Sequence, residues 1–468
     1  MIKNTRNSAP EWTARQVEEA TGGQWTSPPE TDWKATGLCI HQTTFQDGDI
    51  AVVKEEGGRG MSVRAMLNLS SPPSAIIATP STKLPAMGIP VLHVNNTSQA
   101  ILDMGAFARK QMTGKVFAVT GSAGKTTTTA MLSDALLPWG VAPKTAHNAN
   151  LPHGVSWNLA SMAWDAPHVV LELAVGRMGA SSTIAHPDVA IFTNLAPAHL
   201  GENSSIADIA KTKSAIFRGM VPGSAAIINR DMPEWELVHD RAERQQLKVI
   251  HFGQTDRSDY QLLGYNADEQ VVTALIEGRK VEYRIGAAGI HMALNSLSVL
   301  AAITGAGLPI APAIEQLAGF SALPGRGQEW ALSLPGRTFT LIDDAYNANP
   351  SSMAVALNRL SRTKGARRIA VLGEMADLGA NAQDYHTALA AQINSSKIDR
   401  VYVVGELYAD FWKRIPERQK GTFEASLETL NPRLYNELKH GDIVLIKGSN
   451  STGMQRVVAW LKIKAEIC

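Results

Sequence analysis

The chain is 468 residues long, and its 44 lysines and arginines almost cancel its 43 aspartates and glutamates. So even a balance argues against a surface that coats a polyanion, and hence against nucleic acid as a partner; two cysteines, Cys39 and Cys468, supply neither a disulfide framework nor a metal-ligand spacing. Residues 1–16 lack a signal-peptide core, and the most apolar run, 290–308, is broken by His291, Asn295, Ser296, Ser298 and Thr304, so the expectation is a cytoplasmic enzyme with no membrane partner.

At about 150 residues per domain, the length predicts roughly three domains. A turn at Asp47-Gly48-Asp49 precedes an apolar strand at 50–53, and 74–78 and 89–94 read as further strands between Pro and Gly. Residues 98–111 read as a helix, which puts a boundary near 108. Residues 116–127, Val-Phe-Ala-Val-Thr-Gly-Ser-Ala-Gly-Lys-Thr-Thr, read as a buried strand, a tight loop and the first turn of a helix. Backbone N–H groups from Gly121, Ser122, Ala123 and Gly124 and the helix start at Thr127 would converge there on a polyphosphate. Lys125 would reach its terminal phosphates, and the Thr126 hydroxyl is placed for Mg²⁺. Only the second half of GxxxxGK[ST] is present, because Val119 stands where the first glycine belongs. A plain glycine turn ahead of a helix is the bland alternative; the strand–loop–helix context favours a nucleoside triphosphate.

Continuous apolar runs at 169–173, 189–194, 225–229 and 249–252 then alternate with helical stretches, the pattern of a doubly wound parallel sheet. Ligands of such sheets lie beyond the carboxyl ends of the strands, where Thr120, Glu172 and Asn194 fall. After Pro309 and Pro312, the turn Leu323-Pro324-Gly325-Arg326-Gly327 leads to a third βα series at 338–343, 368–372, 400–404 and 442–446. The expected domains are therefore 1–108, 109–318 and 319–468. Residues 343–353, Asp-Asp-Ala-Tyr-Asn-Ala-Asn-Pro-Ser-Ser-Met, follow a strand and open a helix, with Asn349 as N-cap and Pro350 at the first position. Capping accounts for those two residues but not for Asp344, Tyr346 and Asn347.

Taken together, TGSAGKTT and DAYNANPSSM resemble the Mur ligase family, most closely its D-alanyl-D-alanine-adding branch, and the likeness runs in order from about residue 100 to the end. The resemblance implies a three-domain α/β architecture with a central P-loop sheet and a C-terminal Rossmann-like domain, in a monomer with mobile outer domains. It places Glu172, His199 (in an NxxxxHLG stretch) and Lys213 with Thr126 around two Mg²⁺, Lys213 being the lysine that the family carbamylates. With Lys125, these form the expected catalytic set. His291 and Asn295 match the adenine-side motif, Arg326 a nucleotide-contacting arginine, and Asp344, Tyr346 and Asn347 complete the ATP site. Asn148 and Asn150 fall in the family's asparagine-rich substrate loop, and Asn349, Lys447 and Ser449 are the further substrate contacts. Singly, each has a plainer reading: Glu172 a strand-end ion pair, His199 a loop histidine, Lys213 a solvated lysine, Asn295 a helix cap.

The implied reaction moves the γ-phosphate of ATP to a small-molecule carboxylate, and the amine of an amino acid or dipeptide then displaces phosphate. Bringing a carboxylate to a triphosphate demands charge neutralisation, which Lys125 and Mg²⁺ would supply. Departures from the family cluster on the acceptor side. The Ser-Arg pair is missing from 40–49, the aspartate–histidine pair from 54–61, and the asparagine and second glutamate from 174–180; Leu151 and Asn450 replace an asparagine and an arginine. Neutral side chains do not replace a bidentate phosphate contact. The expectation is therefore a specialised amide ligase acting on an acceptor other than a UDP-sugar. The alternatives are the peptidoglycan enzyme that adds D-Ala-D-Ala to UDP-N-acetylmuramoyl-tripeptide, a folylpolyglutamate-synthase-like ligase, or a non-catalytic nucleotide-binding relative.

Overall fold

Four β-sheets organise residues 9–196 and 205–467, the part of the chain that the structure, a computed structural model, describes. The first large sheet runs Gln24–Trp25, Val91–His93, Ala75–Ala78, Asp49–Val52, Gly37–Cys39, parallel except at its first edge strand. The helix Thr97–Gln111 follows, started by Asn96, whose side-chain oxygen accepts from Gln99 N at 2.8 Å. It passes unbroken through residue 108 and lies on the helix Pro152–Ser161. Contact is close enough that a Cβ on Gly105 would stand 2.4 Å from Ser156 Cα. Buried hydrogen bonds sew the seam between the first and central sheets. Trp12 Nε1 donates to Ala160 O (2.8 Å), Trp157 Nε1 to Leu38 O (2.7 Å), and Leu38 N to Ser161 Oγ (3.0 Å). One apolar core, containing Trp12, Leu38, Ile101, Leu159 and Leu171, crosses that seam.

The central sheet runs Arg279–Arg284, Val271–Ile276, Tyr260–Asn266, Lys248–Gly253, Ala225–Asn229, Val189–Phe192, Lys115–Thr120, His168–Glu172. Its apolar strands pair in parallel, as their unbroken hydrophobic runs require when both faces are covered. Beyond them an antiparallel meander, absent from the sequence reading, extends the edge from residue 260 to 284. Lys115–Thr120 lies between Val189–Phe192 and His168–Glu172, so three strand ends deliver Thr120, Glu172 and Thr193 to one place. The helix Ile290–Gly305, apolar on nearly every face, is buried against this sheet. Among the described residues no helix is long and apolar enough to cross a membrane.

The third large sheet runs Lys420–Glu424, Arg400–Val404, Arg367–Gly373, Asp442–Lys447, Arg337–Asp344, Gln328–Leu334, Glu466–Ile467. Its first five strands are parallel and its last two antiparallel. The neighbouring strands Arg337–Asp344 and Asp442–Lys447 both end towards the phosphate loop.

Candidate active site

The loop after Thr120 is held from the side by the next strand end. Gly121 adopts φ 149°, and a Cβ there would lie 1.9 Å from Thr193 Oγ1, so only glycine fits. Thr193 Oγ1 donates to Ala123 O at 2.6 Å, Ser122 N donates to Asn194 O at 3.0 Å, and Ala123 N to Asn194 Oδ1 at 2.8 Å. Asn229 Nδ2 fixes this clamp by donating to Thr193 O at 2.7 Å. The sequence reading placed Asn194 at a strand end without giving it a site role and missed Thr193. Their signal, two polar residues closing an apolar strand, has meaning only once that strand is known to flank the loop.

The helix Lys125–Ala135 starts at Gly124 with no side-chain cap, which leaves its first N–H groups open to a ligand. Lys125 Nζ and Lys213 Nζ both donate to the carbonyl of Gly121, each at 3.0 Å. Burial pushes Lys125 below its ordinary value; Glu172 opposes the fall and Arg326 adds to it. Lys213, only 3 % exposed, is driven well below its ordinary value by burial and then by Lys125, against the pull of Glu172.

Glu172 is 6 % exposed and fully engaged. Its Oε2 accepts from Thr126 Oγ1 at 2.6 Å, its Oε1 from Asn150 Nδ2 at 2.9 Å, and its backbone N–H donates to Thr145 Oγ1 at 2.8 Å. These donors suit a hard cation: one carboxylate and one hydroxyl leave most of an octahedral shell to water and phosphate oxygens, the habit of Mg²⁺. Among the described residues no group of three His, Cys, Asp or Glu forms a ready-made metal cluster. His199, expected at the metal, lies outside the described residues.

A cleft of about 560 Å³ separates this loop from the third sheet. Asn295 reaches the loop from the buried helix, its Oδ1 3.2 Å from where a Cβ on Gly124 would stand. His291, on the same helix, lines the cleft and is pushed down to about 4, by burial first and then by Arg359, with Asp344 opposing. It is neutral at physiological pH. From the far wall, the Arg326 guanidinium lies 4.3 Å over the Tyr346 ring, and Asn148 Nδ2 donates to the Tyr346 hydroxyl across the cleft. Burial lowers Arg326, while Glu172, Tyr346 and Asp344 hold it up, so these groups share one electrostatic neighbourhood. Asn349 caps Pro350–Arg362 through Ser352 N (2.8 Å), and its amide nitrogen reaches Ser122 O at 3.5 Å.

Lys447 and Ser449, expected as substrate contacts, also hold the loop that borders the cleft. Lys447, 2 % exposed, donates at 2.9 Å to both Asp344 Oδ2 and Asn347 O and lines only the floor of the cleft. Ser449 is buried outside the lining: its hydroxyl donates to Ala348 O (3.2 Å) and accepts from Ala376 N (2.8 Å). Both brace the 344–349 loop from beneath. Lys447→Met is expected to lower the stability of the third unit by about 3–5 kcal/mol, because it strands Asp344 without its partner. Urea unfolding checks this, and the double variant Lys447→Met/Asp344→Asn should recover part of the loss.

Fold and cleft together define an ATP-using ligase assembled from α/β units around a phosphate loop. The Mur ligase middle-domain family matches residues 119–303, and the Mur ligase glutamate-ligase-domain family matches residues 331–450. The UDP-N-acetylmuramoyl-tripeptide–D-alanyl-D-alanine ligase of Mycobacterium tuberculosis is 30% identical over 374 residues, 73% of this chain and 72% of that protein. MurF from Acinetobacter baumannii superposes with a TM-score of 0.82 at 25% identity, covering 97% of this chain and 99% of that one. MurF from Thermotoga maritima in complex with ADP gives 0.74 at 24% identity, over 92% and 97%. The chain belongs to the Mur ligase family and is an ATP-dependent, ADP-forming ligase.

Proposed function

We propose that the chain joins D-alanyl-D-alanine to UDP-N-acetylmuramoyl-tripeptide, in the cytoplasm and as a monomer of three domains, 1–108, 109–318 and 319–468. One observation carries this reading: Lys125, Lys213 and the Thr126–Glu172 pair meet at one end of a cleft whose other wall holds Arg326 and Tyr346. Likeness to tripeptide–D-alanyl-D-alanine ligases extends over nearly the whole chain, including the first sheet. The expectation of a specialised ligase with a non-UDP-sugar acceptor therefore gives way to its alternative. The departures at 40–61 and 174–180 are read as changes within the same activity.

In this reading the triphosphate lies on the open N–H groups at the start of Lys125–Ala135, and Lys125 leaves Gly121 O to meet it. Thr126 and Glu172, joined by a carbamate on Lys213, would hold two Mg²⁺, which when bound neutralise the phosphates. Carbamylation needs the neutral amine of lysine, the form that burial favours at Lys213; Nζ adds to CO₂ and releases one proton. His291 and Asn295 flank the adenine side, and Arg326, stacked on Tyr346, faces the phosphates from the third unit with Asp344 and Asn347. A tripeptide carboxylate oxygen attacks the γ-phosphorus and ADP leaves. The dipeptide amine then attacks the acyl carbon and loses a proton, and inorganic phosphate departs as the amide forms. Asn148, Asn150 and Asn349 border the acyl group, while closure of the cleft keeps water from the acyl phosphate.

Incubation with ATP, Mg²⁺, UDP-N-acetylmuramoyl-tripeptide and D-alanyl-D-alanine should give the dipeptide adduct and one equivalent of phosphate, read by mass and phosphate release. ATP binding without product would overturn the substrate assignment and return the specialised acceptor to first place.

A further inference from the structure

The helix Trp235–Arg244 packs on the strand Lys248–Gly253 and brings His239 beside His251. The two imidazole centroids are 5.1 Å apart, their planes inclined by 32°. Trp235 closes on both rings, at 6.0 Å from His239 and 5.6 Å from His251.

Each histidine has one nitrogen committed to a carboxylate. His239 Nε2 stands 3.2 Å from Glu243 Oε1, one helical turn on. His251 Nδ1 stands 3.6 Å from Asp259 Oδ2, which also accepts from the His251 backbone N–H at 2.7 Å. A carboxylate beside one ring nitrogen keeps the proton there and leaves the lone pair on the other. Those other nitrogens, His239 Nδ1 and His251 Nε2, are both buried, and among the described residues neither meets a hydrogen-bond partner. A buried acceptor without a donor destabilises a fold, and here two of them come together from separate elements. Burial, then His239, hold His251 below its ordinary value, with Asp259 opposing and Arg230 adding, so the ring is neutral at physiological pH.

The spacing fits a shared ion. A metal about 2.0–2.1 Å from an imidazole nitrogen lies about 3.2 Å from the ring centroid, so two rings at a tetrahedral angle stand about 5.2 Å apart. We propose that His239 Nδ1 and His251 Nε2 bind a divalent transition metal of the class that imidazole favours, such as Zn²⁺. Glu243 and Asp259 would fix the rings from behind, the arrangement that metal-ligating histidines usually have. The side chains are 24% and 15% exposed, so water can complete the shell. The nearby cation Arg230 lies 4.8 Å over the Trp235 ring with its Nη1 donating to Arg257 O at 2.6 Å, and the two carboxylates outweigh it. This site is distinct from the Thr126–Glu172 pair, whose oxygen donors suit Mg²⁺. It ties the helix to a strand whose Phe252 lines the cleft, so the ion would stiffen that wall.

Calorimetric titration of the full chain with Zn²⁺, in excess Mg²⁺ to occupy oxygen sites, tests this in wild type, His239→Gln, His251→Gln and Asp259→Asn. Wild type should take up one Zn²⁺ and melt higher with it. Each glutamine variant should bind Zn²⁺ about 100-fold more weakly and Asp259→Asn about ten-fold more weakly. Turnover in Mg²⁺ alone should be unchanged in all three. One equivalent of Cu²⁺ gives a second reading: its electron paramagnetic resonance should show two imidazole nitrogens in wild type and fewer in either glutamine variant. No Zn²⁺ binding to wild type, or binding indifferent to both glutamines, overturns the site. So does a wild-type Cu²⁺ spectrum with fewer than two nitrogens, a reading that holds even where a variant fails to fold.

Discussion

Lys125→Met should reduce turnover by about 10²–10³-fold, the usual loss when a preorganised charge is removed from a developing anion. The cause lies in the geometry of the free protein. Lys125 and Lys213 share the Gly121 carbonyl, so two buried amines crowd one acceptor at 3.0 Å, with Glu172 the carboxylate that acts on both. A triphosphate arriving at the helix start relieves that crowding, and the relief is part of its binding energy. Methionine keeps the length and apolar stem of lysine, so the loop clamp by Thr193 and Asn194 should persist. Phosphate release at saturating ATP reads the loss. A variant retaining more than a tenth of wild-type turnover would remove Lys125 from the reaction.

Lys213→Met is expected to cost about 10²-fold in turnover and yet to stabilise the nucleotide-free protein. Burial drives the folded-state value of Lys213 well below that of the unfolded chain. Below the folded value both states are protonated, and the folded state carries the whole cost of a buried cation. Above it, and until the unfolded value is reached, the unfolded chain binds more protons, so stability rises with pH. Wild type should therefore melt progressively higher as pH climbs through that window. The methionine variant should start higher and respond less, which scanning calorimetry across the pH series will show. Lys213→Arg separates charge from carbamate: arginine keeps the cation but offers no free amine. Turnover preserved in the arginine variant would end the carbamate proposal.

Much of this was legible in the chain. The phosphate loop announced itself because glycine, lysine and threonine each have a local reason to stand where they do, and the parallel strands because their apolar runs are continuous. The meander at 260–284 was missed although Val271–Ile276 alternates buried and half-buried residues. Its turn, Glu277-Gly278, has positive φ at both positions, and a Glu-Gly pair is a weaker sign of such a turn than Asn-Gly. The strand Gln328–Leu334 was missed for a different reason: only Leu332 and Leu334 are buried, so its alternation is weak, and one of its two partners, Glu466–Ile467, lies over 130 positions away. The bracing role of Lys447 and Ser449 was equally hidden, since a motif records which residues recur and not whether they face a ligand or the loop beneath it. The contact of Asn148 with Tyr346 bridges 198 residues of sequence, beyond the reach of any local pattern.

The two seams of the molecule differ in kind. Between the first and central sheets runs a continuous apolar core stitched by buried indole and amide hydrogen bonds. Between the central and third units the polar contacts include Asn148 with Tyr346, Asn349 with Ser122 at 3.5 Å, and an ion pair of Lys364 with Asp268 whose side chains are 84% and 69% exposed. An exposed pair of that kind contributes little. Mechanically, the molecule is a pair of jaws. The first sheet and the phosphate loop belong to the same jaw, joined by that core. A ligand in the cleft would touch residues of both jaws, so its departure is expected to weaken their hold on each other.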